Sequence, residues 1–219
     1  MSQPLTAGSD QSRATILGRI RAATQSFHQE SYESLPRTYI RRGSLTAEAC
    51  LKLMVERLRE YDAEVVECSP AALPSVIVAQ LAASGRHNFV APSGLPAEWL
   101  PSGFAWKLDR GLTTAEIEQT EGVLTSSSYA IADSGTIVLH HTANEGRRVL
   151  TLLPDWHLCI LFASQVVETL PEYFDRCPQP PALATYISGP SATADIEMTR
   201  IKGVHGPRFL HVILVRDEI

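Results

Sequence analysis

The chain has 219 residues, 44% apolar and 20% charged, with a formal net charge of −5. That is enough apolar material for a full core in one large or two small domains. The acidic balance argues against nonspecific nucleic-acid binding, which needs a basic surface; Arg41-Arg42 and Arg147-Arg148 read as local, solvated pairs.

Met1 to Asp10 is a polar, loose tail with no apolar signal core, and no apolar stretch approaches the length of a membrane span. The expectation is a cytoplasmic protein. Ile16, Leu17, Ile20 and Phe27 fall at helical spacing and predict an amphipathic helix. Ser34 to Gly43, with Pro36 and three arginines, reads as a surface connector. Ser44 or Thr46 can cap a second helix whose apolar face is Cys50, Leu51, Met54, Val55 and Leu58. A strand over Ala63 to Cys68, a helix over Leu73 to Ala83 and a strand over Asn88 to Ala91 follow. Pro92 to Gly103 is a loop with at most one helical turn at Ala97 to Leu100. Trp106 to Leu108 is a strand candidate, and Thr113 opens a short helix through Ile117. The alternation predicts a sheet built with crossover helices.

The second half changes character. Ser126 to His140 is strand-like on both sides of Asp133-Ser134-Gly135, the pattern of a hairpin. Val149 to Leu153 and Leu158 to Phe162 are apolar runs, and Ser164 to Arg176 predicts a helix, with a break at Pro171. Tyr186 to Val215 reads as strand, loop, short helix, loop, buried strand. The organisation expected is an α/β domain over 63–219, preceded by an N-terminal helical extension over 1–62, together one compact unit.

G-x-G-x-x-G, G-x-x-x-x-G-K-[ST] and G-x-S-x-G are all missing. Cys50, Cys68, Cys159 and Cys177 show no C-x-x-C spacing, so the chain lacks an iron–sulfur or zinc-ribbon signature of its own. His140 and His141 are adjacent and would point to opposite faces of a strand, a poor geometry for one metal; no metal site is expected.

The strongest candidate site is the pair of glycine loops in the last stretch. Ser188, Gly189 and Ser191 form a turn whose backbone a ligand could approach, with amides of a following helix aimed at it. The plainer reading is a turn capped by Ser191 or Thr193, and Asp195 and Glu197 would repel an anion. On the second loop, His205 can change charge near neutral pH and Arg208 can fork onto a carboxylate. Asp155 and His157, two apart, can share one strand face as an acid/base couple, though such a pair is more often structural, and Trp156 between them supports packing. Asp133 at the hairpin tip and Glu145 before the next strand are the carboxylates that could serve catalysis; spacing alone reads them as a solvated turn with charged neighbours.

The segments YAIADSGTIVL, EGRRVLTLLPDWHLCIL, Gln165 to Val167 and SGPSATADIEMTRIKGVHGPRFLHVILV, in that order, resemble the lactate-utilisation protein C (LutC/YkgG) family, whose core is the LUD domain. The resemblance covers roughly Ala63 to Val215. It implies a three-layer α/β/α sandwich like the NagB/RpiA/CoA-transferase fold, with the helical extension in front. It also implies a part in oxidising L-lactate to pyruvate beside partner subunits that carry the iron–sulfur clusters, this chain holding no cofactor itself. Members often carry glutamate where this chain has Asp133; in related CoA transferases a glutamate at a comparable turn forms the covalent intermediate. Asp133 is one methylene shorter, which puts that role in doubt.

Two function classes follow. One is a subunit of a lactate-oxidising system, binding a small carboxylate such as lactate or pyruvate, or docking the iron–sulfur partners. The other is a free-standing enzyme of the CoA-transferase or sugar-phosphate isomerase type, with Asp133 or Glu145 as nucleophile or base. A purely structural adaptor without a ligand is a third.

Overall fold

The structure, a computed structural model, describes residues 7–24, 34–36, 38–194, 200–202 and 206–217. Two compact units meet in the chain at Tyr39 and Ile40. In the first, α1 spans Ala7–Thr24. The second, from Ile40, contains all the remaining elements described below.

Local chemistry sets the helix bounds. In α2 (Ala47–Glu60), Thr46 rather than Ser44 is the N-cap, its hydroxyl accepting from the Ala49 amide at 3.3 Å. Glu48 in the first turn and Arg57 and Arg59 in the last suit the helix dipole. α3 spans Leu73–Ala83. α4 (Thr114–Glu118) and α5 (Leu170–Arg176) each open on a capping box, Thr113 with Glu116 and Thr169 with Glu172. Pro171 sits in the first turn of α5, where its missing N–H costs nothing, so it starts the helix instead of breaking one.

The strands are β1 (Glu64–Cys68), β2 (Asn88–Pro92), β3 (Ala105–Asp109), β4 (Gly122–Ser126), β5 (Tyr129–Ile131), β6 (Thr136–Leu139), β7 (Trp156–Phe162), β8 (Val166–Val167), β9 (Thr185–Ile187), β10 (Ala192–Ala194), β11 (Arg200–Lys202) and β12 (Phe209–Val215). Six form a parallel sheet in the order β1-β12-β7-β4-β2-β3. Four form a smaller mixed sheet, β8-β5-β6-β9. β10 and β11 pair with each other.

Alternation along the central strands divides the core into two faces. Trp156, Leu158 and Ile160 of β7, with Ile213 and Val215 of β12, pack against Leu73, Ile77 and Leu81 of α3. Cys159 and Leu161 of β7, with Leu210, Val212 and Leu214 of β12, pack against Cys50, Leu51, Met54, Val55 and Leu58 of α2. The small sheet joins that second layer through Ala130, Ala132, Ile137 and Leu139. The architecture is therefore a three-layer α/β sandwich with a parallel central sheet, and α2 is part of its core. The β5–β6 hairpin folds against α2. Its Gly135 has φ +61°, and a Cβ there would lie 2.7 Å from the Arg57 Cβ, so the turn needs glycine.

The apolar run over Val149 to Leu153 overlaps a 3₁₀ turn, Arg148–Thr151. Two expectations change. Ser164 to Arg176 is not one helix, because a 3₁₀ turn and β8 precede α5. In the last stretch, β9 belongs to the small sheet and β12 to the central one, and the segment between them pairs as β10 and β11 where a short helix was expected.

Candidate functional site

A cavity of about 210 Å³ opens where the turn after β9, residues 206 and 207, the Arg148–Thr151 turn and the first residues of β7 and β12 meet. It lies at the amino ends of these two central strands, on the α2 face of the sheet. Ser188, Gly189, Ser191 and His157 all line it, so the fold brings together four of the nine candidate residues named from the sequence.

His157 is 1% exposed, and its Nε2 lies 2.8 Å from Thr125 Oγ1 on β4. Burial pushes its pKa down to about 4, so at neutral pH the imidazole is a neutral hydrogen-bonding group. Ser188 Oγ lies 2.7 Å from Thr136 Oγ1, itself 2.7 Å from Ser134 Oγ, a chain of hydroxyls running from the hairpin turn to the cavity. Gly189 has φ +90°, and a Cβ there would lie 2.5 Å from the Tyr61 Cβ; what its bare backbone admits is Tyr61. The Ser191 amide donates to the Pro207 carbonyl at 2.9 Å and so ties the two loops together.

The other candidates stand elsewhere. Arg208 is exposed and forks onto Asp155, Nε–Oδ1 2.5 Å and Nη2–Oδ2 3.0 Å, and it does not line the cavity. Arg208 holds the Asp155 carboxyl below its ordinary pKa, with Arg86 adding at 3.6 Å. Asp155 and His157 therefore have separate partners and form no couple. Asp133 is exposed, and its amide donates to the Glu168 carbonyl. Glu145 is not solvated: it is 1% exposed, and its carboxylate accepts from the Ser128 hydroxyl and from the amides of His140 and Thr142. Such saturation marks a group that pins a loop. His205, Asp195 and Glu197 lie outside the described residues.

Sequence reasoning missed Arg148. It was read as half of a solvated pair, but the two arginines part company. Arg147 forks onto Asp109 at 2.8 and 2.7 Å. Arg148 lines the cavity and has no ion pair among the described residues. Thr151, one turn on, lines it as well. No spacing rule distinguishes the two arginines, because Asp109 lies 38 residues away.

All four cysteines are free, and burial raises Cys50 to about 11 and Cys159 to about 12. Among the described residues, no group of three or more His, Cys, Asp and Glu side chains could hold a metal ion, and no helix is long and apolar enough to cross a membrane.

A parallel sheet between α3 on one face and α2 with a small sheet on the other defines a three-layer α/β sandwich. The chain belongs to the LUD domain family, whose model matches residues 44–215 and so takes in α2. Lactate utilization protein C of Deinococcus radiodurans is 40% identical over 167 residues, 73% of this chain and 76% of that protein. The protein of the same name from Bacillus subtilis is 28% identical over 94% of this chain and 93% of its own length. The crystal structure of a DUF162 family protein from Deinococcus radiodurans superposes with a TM-score of 0.66 at 32% identity, covering 78% of this chain and 99% of that one.

Proposed function

We propose that this chain serves lactate utilisation as a subunit that binds a small carboxylate, lactate or pyruvate, beside iron–sulfur partners that carry the electrons. The observation that carries the binding role is the cavity of about 210 Å³, with Arg148 in its wall and Ser188, Ser191 and Thr151 around it. A guanidinium matches a carboxylate in charge and in forked geometry. A neutral His157 in the floor can meet a hydroxyl or keto oxygen, whereas a buried cation would compete with Arg148 for the carboxylate. The names of the relatives at 40% and 28% identity support the lactate role.

Oxidising lactate to pyruvate removes two electrons and two protons. The four cysteines lack cluster spacing, and burial holds Cys50 and Cys159 as thiols, which supports placing the iron–sulfur acceptors in partner chains. The expected division is binding here and electron transfer in the partners.

Calorimetric titration of the purified chain with pyruvate and with L-lactate tests the binding role. Arg148→Gln should weaken either ligand about tenfold or more, the loss of one charge-assisted contact. Unchanged affinity in a folded variant would remove Arg148 from the site. Co-purification of cysteine-rich iron–sulfur proteins with the tagged chain, and loss of growth on lactate after deletion, test the partner role.

A further inference from the structure

The order of the central strands contains a reversal. After β1 the chain crosses to β2 and steps outward to β3; it then returns through β4, β7 and β12 toward β1. The connections diverge between β2 and β4. Beyond the carboxyl ends of strands at such a point an α/β sheet leaves a crevice, because the loops on either side run in opposite directions.

A second cavity, about 450 Å³, lies at that end of the sheet. Its wall includes Pro92 at the end of β2 and Ser93 after it, Asp109 at the end of β3 and Arg110 after it, and Arg147 and Arg148 from the segment before β7. Its volume is within the range of small-molecule sites, about 300–1,000 Å³. It is more than twice that of the first cavity.

The charges of the wall do not cancel. The Asp109 carboxylate is saturated by the Arg147 fork and by the amides of Gly111 and Leu112, which hold it ionised below its ordinary pKa. That pair is neutral overall. Both ring nitrogens of His141 are engaged, one with the Gly146 carbonyl and the other with Thr185 Oγ1. Arg110 and Arg148 remain, both exposed and neither with an ion pair among the described residues. The lining thus carries two uncompensated guanidinium charges and no uncompensated carboxylate.

We propose that this crevice is a second ligand site, distinct from the small cavity, that binds a phosphate-bearing small molecule through Arg110 and Arg148. Two forked donors match the several oxygens and double charge of a phosphate group. A monocarboxylate offers only one charge and would leave most of the volume empty. The site needs no partner chain; it shares Arg148 with the small cavity and has Arg110 to itself.

The test is calorimetric titration of the full chain with inorganic pyrophosphate, with succinate as a dicarboxylate control and sodium chloride at matched ionic strength. Pyrophosphate should bind, and Arg110→Gln should weaken it about tenfold. Lys52→Gln, which removes one positive charge from the far end of an exposed helical pair, should change it less than about twofold. Arg110→Lys, which keeps the charge but loses the fork, should fall between them. The same Arg110→Gln protein should titrate with pyruvate as the parent does, so failure of one site is separable from failure of the other. No pyrophosphate binding, equal loss in Lys52→Gln and Arg110→Gln, or binding of succinate in preference to pyrophosphate would each overturn the assignment.

Discussion

The burial of His157 makes stability depend on pH in a calculable way. In the folded protein its pKa is about 4 against an ordinary 6.5, and the cause is desolvation. Above pH 6.5 the imidazole is neutral in both states and contributes no pH dependence. Between 6.5 and 4 the unfolded chain binds a proton that the folded chain refuses, so stability is lost as pH falls through this window. The full loss is on the order of 3 kcal/mol, of which about 2 kcal/mol falls between pH 7 and pH 5. His140 and His211, each lowered first by its own burial, act in the same direction. The carboxylates held below their ordinary values, Asp109, Glu116, Glu121 and Asp155, lose their contribution only at more acid pH. The discriminating variant is His157→Gln, which can still meet Thr125 but cannot titrate. Urea unfolding at pH 7 and pH 5 should show the parent losing about 2 kcal/mol more than the variant across that interval. Equal losses, or a His157 resonance titrating above pH 6, would refute the burial argument.

Three further outcomes follow from the same contacts. Glu145→Ala strips the acceptor from the Ser128 hydroxyl and two amides, and should cost about 3 kcal/mol or more in urea unfolding, with Glu145→Gln costing less. Arg208→Gln breaks an exposed pair with Asp155, and should change stability by less than about 1 kcal/mol in the same assay. Cys50 and Cys159, buried and held as thiols, should resist a disulfide-exchange reagent at pH 8 in the native protein, while all four cysteines react in urea.

Local signals were legible where one residue type has one physical use. The bounds read for the helix over Leu73 to Ala83 are those of α3, and the apolar face read for α2 is the face it buries. The Asp133-Ser134-Gly135 turn does join two paired strands, because Gly135 can take the positive φ that the turn requires. What stayed hidden depends on pairing across distance. The strand over Tyr186 and Ile187 looks like the last strand in composition, yet it pairs with β6 and not with the central sheet. Arg208 looks free in sequence, but its fork is filled by Asp155, 53 residues earlier. Glu145 looks solvated, and only the fold shows that three donors converge on it. The glycine at 189 reads in sequence as a place where a ligand approaches the backbone; the close approach seen in the fold is that of Tyr61, and the same glycine lines the cavity.

The two cavities open at opposite ends of the central strands, and Arg148 lines both. That placement decides which substitutions can be interpreted. A loss on changing Arg148 reports on whichever ligand is added and cannot assign it to a cavity. Arg110 lines only the larger cavity and Ser188 only the smaller, so each variant separates the sites. If the sites are independent, Arg110→Gln and Ser188→Ala should act on different ligands, and their effects on any one ligand should add. A non-additive result would show coupling between the cavities, which touch through Arg148 in both walls and through the His141–Thr185 hydrogen bond. The short 3₁₀ turn that begins at Arg148 then becomes one element through which one occupied site is felt at the other.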